Sequence, residues 1–111
     1  MSDIFITIRN QNDNAMTSVD GMAFVAILKQ DGSIVDRKLV GLRFADAQFP
    51  NVPPGQYTAI AFHESVNPPS ASQEVTLLDS ELLEVRFQYL EPERQLLRVI
   101  VQHIPFDMTD L

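Results

Sequence analysis

Phe49-Pro50-Asn51-Val52-Pro53-Pro54-Gly55-Gln56-Tyr57-Thr58-Ala59-Ile60-Ala61-Phe62 reads as a tight corner followed by a buried strand. Pro53 and Pro54 each set φ and remove a backbone donor, so neither a helix nor a central strand runs through them. Gly55 is placed where a turn after Pro-Pro needs positive φ. From Tyr57 onward the apolar density is too high for a surface loop. The β-branched and aromatic residues favour a strand over a helix. This stretch predicts a fold and is silent about activity.

Working outward, the remaining segments repeat the same period. Ile4, Ile6 and Ile8 alternate with Phe5, Thr7 and Arg9, the signature of a half-buried strand. Asn10 to Asn14 is a polar cluster that favours turns, and the loop is expected to reach Asp20-Gly21. Met22 to Lys29 is a short apolar run read as one strand. Asp31-Gly32 then marks a hairpin, and Ile34 to Val40 returns with Asp36, Arg37 and Lys38 as an edge strand. In Leu42 to Phe49 the parity of the apolar residues switches, as at a bulge.

Beyond the corner, Asn67 to Ser72 is turn-rich and Gln73 to Leu78 is a short strand. Leu82 to Leu90 places Val85, Phe87 and Tyr89 on one face. Glu91 to Arg94 is a turn, and Gln95 to Ile104 comes back with Leu97, Val99 and Val101 on one face and Leu96, Arg98 and Ile100 on the other. Asp79 to Leu83 has room for one helical turn at most. About eight short strands at roughly ten-residue spacing predict an all-β, antiparallel sandwich. The expected organisation is a single domain over residues 1–105 and a tail over 106–111.

Composition narrows the function classes. The chain has 111 residues, of which 45% are hydrophobic, enough for one core and too many for disorder. No cysteine is present, which removes disulfides and thiolate chemistry. A formal net charge of −7 disfavours nucleic acid and anionic membrane as partners. The N-terminal residues lack a basic region and a long apolar run, so the expected compartment is the cytoplasm.

The order Asp20-Gly21, Phe24 to Leu28, Asp31-Gly32 and then Phe49-Pro50-Asn51-Val52-Pro53-Pro54-Gly55-Gln56-Tyr57-Thr58 resembles the prealbumin-like β-sandwich modules. It is most similar to carboxypeptidase regulatory-like and collagen-adhesin B-type domains, over roughly residues 18–90. The resemblance implies an Ig-like (prealbumin-like) sandwich of about seven or eight strands. Its structural corner would be Pro53, Pro54, Gly55 and Tyr57, with Tyr57 packed beneath and its hydroxyl on a backbone group. No glycine stands in Arg43 to Phe49, where the family often has one, and Gln95 to Ile104 lies beyond the usual end of the module.

Candidate chemistry is sparse. Phe62-His63-Glu64 is similar to a Phe-His-Asp in a bacterial group of related sandwiches, and His103 lies near the end of the last strand, so a metal site would use His63, Glu64 and His103. Against it, adjacent strand residues point to opposite faces. A Ser-His-Asp triad from Ser65 or Ser70 lacks a nucleophile elbow. The hydrolase of this fold class that acts on a purine ring-opening intermediate carries Tyr-Arg-Gly-Ser at its end, whereas this chain reads Phe106-Asp107-Met108-Thr109-Asp110-Leu111. Asn12, Asp13, Asn14 and Asp20 offer oxygen ligands without EF-hand spacing. The collagen-adhesin likeness implies Lys29 as a candidate for a Lys–Asn isopeptide bond; a lysine at a strand end is more simply one that keeps its ammonium in water.

The expectation is a non-catalytic, cofactor-free protein-interaction or assembly module, with a protein partner or a homo-oligomer formed through an edge strand. Phe106, Met108 and Leu111 are the candidate partner contacts. The alternatives are a small-ligand or metal-binding domain around His63 and Glu64, and a carbohydrate-binding module that uses Tyr89. An interaction module would tolerate His63→Ala; a ligand module would not.

Overall fold

The computed structural model describes residues 1–106. Alternation of apolar and polar residues converts directly into strands: β1 (Ser2–Arg9), β2 (Ser18–Val19), β3 (Met22–Ala23), β4 (Val25–Gln30), β5 (Ser33–Leu39), β6 (Asp46–Val52), β7 (Gly55–Phe62), β8 (Ser70–Leu77), β9 (Glu81–Leu90) and β10 (Gln95–Pro105). No helix forms among the described residues, and none is long and apolar enough to cross a membrane.

Two four-stranded sheets pack face to face, ordered β10-β9-β1-β6 and β5-β4-β7-β8. A small β2-β3 hairpin sits at one end. The alternating residues of each strand meet between the layers. Ile4, Ile6 and Ile8 from β1 and Leu83, Val85, Phe87 and Tyr89 from β9 are all fully buried, facing Ala26 and Leu28 of β4 and Tyr57, Ala59 and Ala61 of β7.

The corner forms as read. β6 ends at Val52, Pro53 and Pro54 cross between the sheets, and β7 starts at Gly55 with φ of +153°. Tyr57 is buried and donates its hydroxyl hydrogen to the Pro53 carbonyl at 2.7 Å. The β4–β5 hairpin turns on Asp31 and Gly32, both at positive φ, the requirement of a type I′ turn.

Five details depart from the sequence reading. The pairing is not antiparallel throughout, because β1 and β9 run parallel from Asp3–Leu82 to Arg9–Gln88. The Met22 run is split: the chain breaks pairing at buried Phe24, and its first two residues pair with β2. Residues 41–45 form a turn rather than a bulge; the Gly41 amide donates to Asp46 and the Ala45 amide to Gly41. That turn leaves Leu42 and Phe44 exposed and accounts for the parity switch. Strand β8 starts three residues earlier than read, at Ser70, and Asp79-Ser80 is a turn with Ser80 at φ +57°.

The fifth departure concerns β10. Leu96 lies opposite Tyr89 and Arg98 opposite Gln88, so Leu97 is the extra residue of a bulge. The bulge puts Leu96 on the same face as Val99 and Val101, and both Leu96 and Val99 pack against the core. Strict alternation from Leu97 would have assigned Leu96 to the opposite face.

Tyr89 is the largest fully buried side chain, and its hydroxyl has no hydrogen-bond partner among the described residues. Burial pushes the phenol above its usual range because the phenolate would be desolvated. An acid whose ionisation is harder in the folded state loses stability as pH rises through its unfolded value, here above about pH 10. Tyr89→Phe removes the unpaired hydroxyl and is expected to raise unfolding stability by about 1 kcal/mol at neutral pH. It is also expected to remove this component of alkaline destabilisation. Urea titrations at neutral and alkaline pH read both effects; a destabilised Phe variant would mean the hydroxyl is satisfied.

Candidate functional site

The residues singled out for chemistry fall at opposite ends of the sandwich. His63 follows the last residue of β7, at the end that carries the β2–β3 hairpin. His103 lies near the end of β10, opposite Leu83 at the start of β9. The histidines therefore cannot share an ion.

His63 is 2% exposed and packs against Phe24, with ring centroids 4.9 Å apart and the planes tilted by 57°. Its Nε2 lies 3.1 Å from the Val19 carbonyl and 3.0 Å from the Met22 carbonyl, and Nδ1 accepts the Ser65 amide at 3.0 Å. Two carbonyls around Nε2 and one amide at Nδ1 define the tautomer with its hydrogen on Nε2. Both ring nitrogens are thus occupied by backbone, and neither is free for a metal or for a serine proton. Glu64, the next residue, is exposed and turned away from the core. Among the described residues no group of three or more His, Cys, Asp or Glu is placed to hold a metal.

His103 takes part in a second polar cluster, which sequence reasoning missed. Its Nδ1 lies 2.9 Å from Oε1 of Glu81, a buried carboxylate. Glu81 accepts the Leu78 amide at 2.7 Å, while its own amide donates to Ser2 Oγ at 3.1 Å. Ser2 Oγ in turn donates to the Leu78 carbonyl at 2.6 Å. The cluster ties the β8–β9 turn, the start of β1 and the end of β10 together. The carboxylate is taken up by the Leu78 amide and His103, the hydroxyl by backbone groups, and no hydrogen bond joins Ser2 to His103. Glu81 and Ser2 are too far apart in sequence for any spacing rule to link them.

The loop acids also have structural partners. Arg94 grips Asp20 through two bonds of 2.7 and 2.6 Å, and its hydrogen bond holds the Asp20 carboxyl below the usual range. Arg86 holds Asp13 and Glu84 together on the outer face of β9. Both pairs fasten loops to the sandwich, and Asp13 and Asp20 do not converge on one ion.

The sugar-platform reading meets a direct obstacle in Tyr89, which is fully buried. A polar groove of about 380 Å³, lined by Gln30, Gln56, Thr58, Glu74 and Thr76, opens on the second sheet. The one aromatic beside it, Tyr57, is buried with its hydroxyl committed to Pro53.

What remains exposed and unassigned is apolar. Leu97, Ile100, Val101 and Ile104 along β10 are each more than a third exposed, and so is Phe106, whose amide donates to the Ser80 carbonyl at 2.9 Å. Met108 and Leu111, the other two candidate partner contacts, lie outside the described residues. No family model matches the chain, and no curated protein matches it in sequence.

Proposed function

We propose that the chain is a prealbumin-like sandwich that acts without catalysis, in the cytoplasm, as an assembly module that pairs with a second copy along β10. The observation that carries this reading is the contrast between β10 and the other three sheet edges. β6 contains Pro50 and bends at Asn51, which has φ of +57°. β5 carries Asp36, Arg37 and Lys38, and β8 presents Ser70, Ser72, Glu74 and Thr76 along one face. Prolines, charges and bends are the devices by which edges avoid pairing.

β10 has few of them. Its eleven residues include the bulge at Leu97, one arginine, Arg98, and one histidine already bound to Glu81, and its proline comes last. Beyond Leu96, whose amide donates to the Asn67 carbonyl, this apolar edge offers backbone donors and acceptors to another strand, with side chains that bury on contact. The Pro-Pro-Gly corner and the bond from Tyr57 to Pro53 support the prealbumin-like part of the reading.

In a twofold antiparallel pairing centred on the strand, Ile100 of one copy faces Ile100 of the other. Ile100→Lys then sets two ammonium groups opposite each other, which is unfavourable across strands. The wild-type chain is expected to scatter light as a dimer, and the variant as a folded monomer. A wild-type monomer at all concentrations up to the millimolar range sinks the reading.

A further inference from the structure

A second apolar surface lies away from β10, on the outer face of the sheet β5-β4-β7-β8. Val25, Ile27, Leu39 and Phe62 line an open groove of about 490 Å³ together with Arg37 and Lys38. Leu39 is 72% exposed and Phe62 is 39% exposed. Exposed aliphatic and aromatic groups gathered this closely mark an interaction surface.

Charge indicates what kind of occupant fits. Two of the chain's eight Lys and Arg, Arg37 and Lys38, line this groove, and no acid does. Lys38 is engaged with the Gln48 carbonyl, but the Arg37 side chain pairs with no carboxylate among the described residues. The complement is an extended segment that alternates apolar side chains with acids. Phe106-Asp107-Met108-Thr109-Asp110-Leu111 has that composition.

The segment cannot reach its own groove. Phe106 is held to Ser80 at the end of the sandwich where β7 begins, and the groove surrounds Phe62, where β7 ends. The length of β7 alone separates them by about 23 Å at ~3.3 Å per residue, before crossing to the other layer. Residues 107–111 extend at most about 18 Å. Residues 106–111 can fill this groove only from another copy.

We propose that residues 106–111 of one copy dock into the Val25, Ile27, Leu39 and Phe62 groove of a second copy, with Asp107 and Asp110 on the side of Arg37. The contact is head-to-tail, so it differs in kind from symmetric pairing along β10 and does not depend on it. Where both operate, dimers joined along β10 would be linked into larger assemblies.

The test is fluorescence polarisation of a labelled peptide of residues 105–111 titrated with the full chain. Saturable binding is expected, weakened about tenfold or more, roughly 1.4 kcal/mol, by Leu39→Asp or Arg37→Glu in the protein and by Asp107→Asn with Asp110→Asn in the peptide. Leu39 and Arg37 are exposed, so both variants should fold. Ile100→Lys should leave peptide binding unchanged, which separates failure here from failure of β10 pairing. No saturable binding, or equal binding to the groove variants, overturns the proposal. Flotation of the protein with phosphatidylserine vesicles, lost in Leu39→Asp while the peptide gives no signal, overturns it in favour of a membrane surface.

Discussion

His63→Ala is expected to lower the unfolding free energy by about 3 kcal/mol, a large part of the 5–15 kcal/mol typical of a domain. The ring fills space beside Phe24 and makes three contacts to backbone, at Val19, Met22 and Ser65. Alanine leaves a cavity and strips those carbonyls and that amide of a buried partner. The β2–β3 hairpin has two residues in each strand and only two paired positions of its own, so it relies on this ring together with buried Val19 and the Asp20–Arg94 pair. Loss of the ring should free the hairpin first. A urea titration measures the total, and hydrogen exchange at residues 18–23 measures the local part. An unchanged midpoint would mean that the hairpin is held by other contacts.

A lowered midpoint would run against the expectation that an interaction module tolerates His63→Ala. The substitution is damaging whatever the function, because the histidine is a structural tie. Loss of binding in that variant would therefore not identify a ligand site. Its stability has to be measured before its binding is interpreted.

Gly55→Val is expected to cost about 2–3 kcal/mol, through the backbone more than through crowding. Gly55 has φ of +153°, a region that L-residues avoid and a β-branched residue avoids most strongly. A Cβ there would lie 3.2 Å from Nε2 of Gln30 and 3.7 Å from Cε2 of Tyr57. The Gln30 side chain can swing aside; the dihedral cannot change without moving Pro54 or the start of β7. Displacing β7 would also disturb the bond from Tyr57 to Pro53. Gly55→Ala has the same dihedral problem with a smaller side chain, so the two variants should be ranked Ala above Val in midpoint. A Val variant as stable as wild type would show that the corner does not depend on this glycine.

Period and punctuation made most of the architecture legible. Ile4, Ile6 and Ile8, and likewise Val85, Phe87 and Tyr89, occupy the buried face because successive strand residues alternate by geometry alone. Pro53-Pro54-Gly55 and Asp31-Gly32 mark turns because their allowed dihedrals are local properties. A corner, a hairpin and a set of alternating strands followed from the amino-acid order, with no knowledge of neighbours.

Neighbours were what the order of residues could not specify. Period 2 tells which face of a strand is buried and nothing about which strand lies beside it, so the parallel pairing of β1 with β9 was not readable. A bulge shifts parity by one residue at a place chosen by the partner strand, and so Leu96 was assigned to the wrong face of β10. His63 and Tyr89 looked available because their residue types often serve ligands. Only the packed structure surrounds one with backbone and encloses the other in the core. The same packing sets His63 and His103 at opposite ends, and it brings together Ser2, Glu81 and His103, residues far apart in the chain. Local chemistry decides backbone shape; burial, pairing and the surfaces left uncovered are decided by contacts between distant parts of the chain.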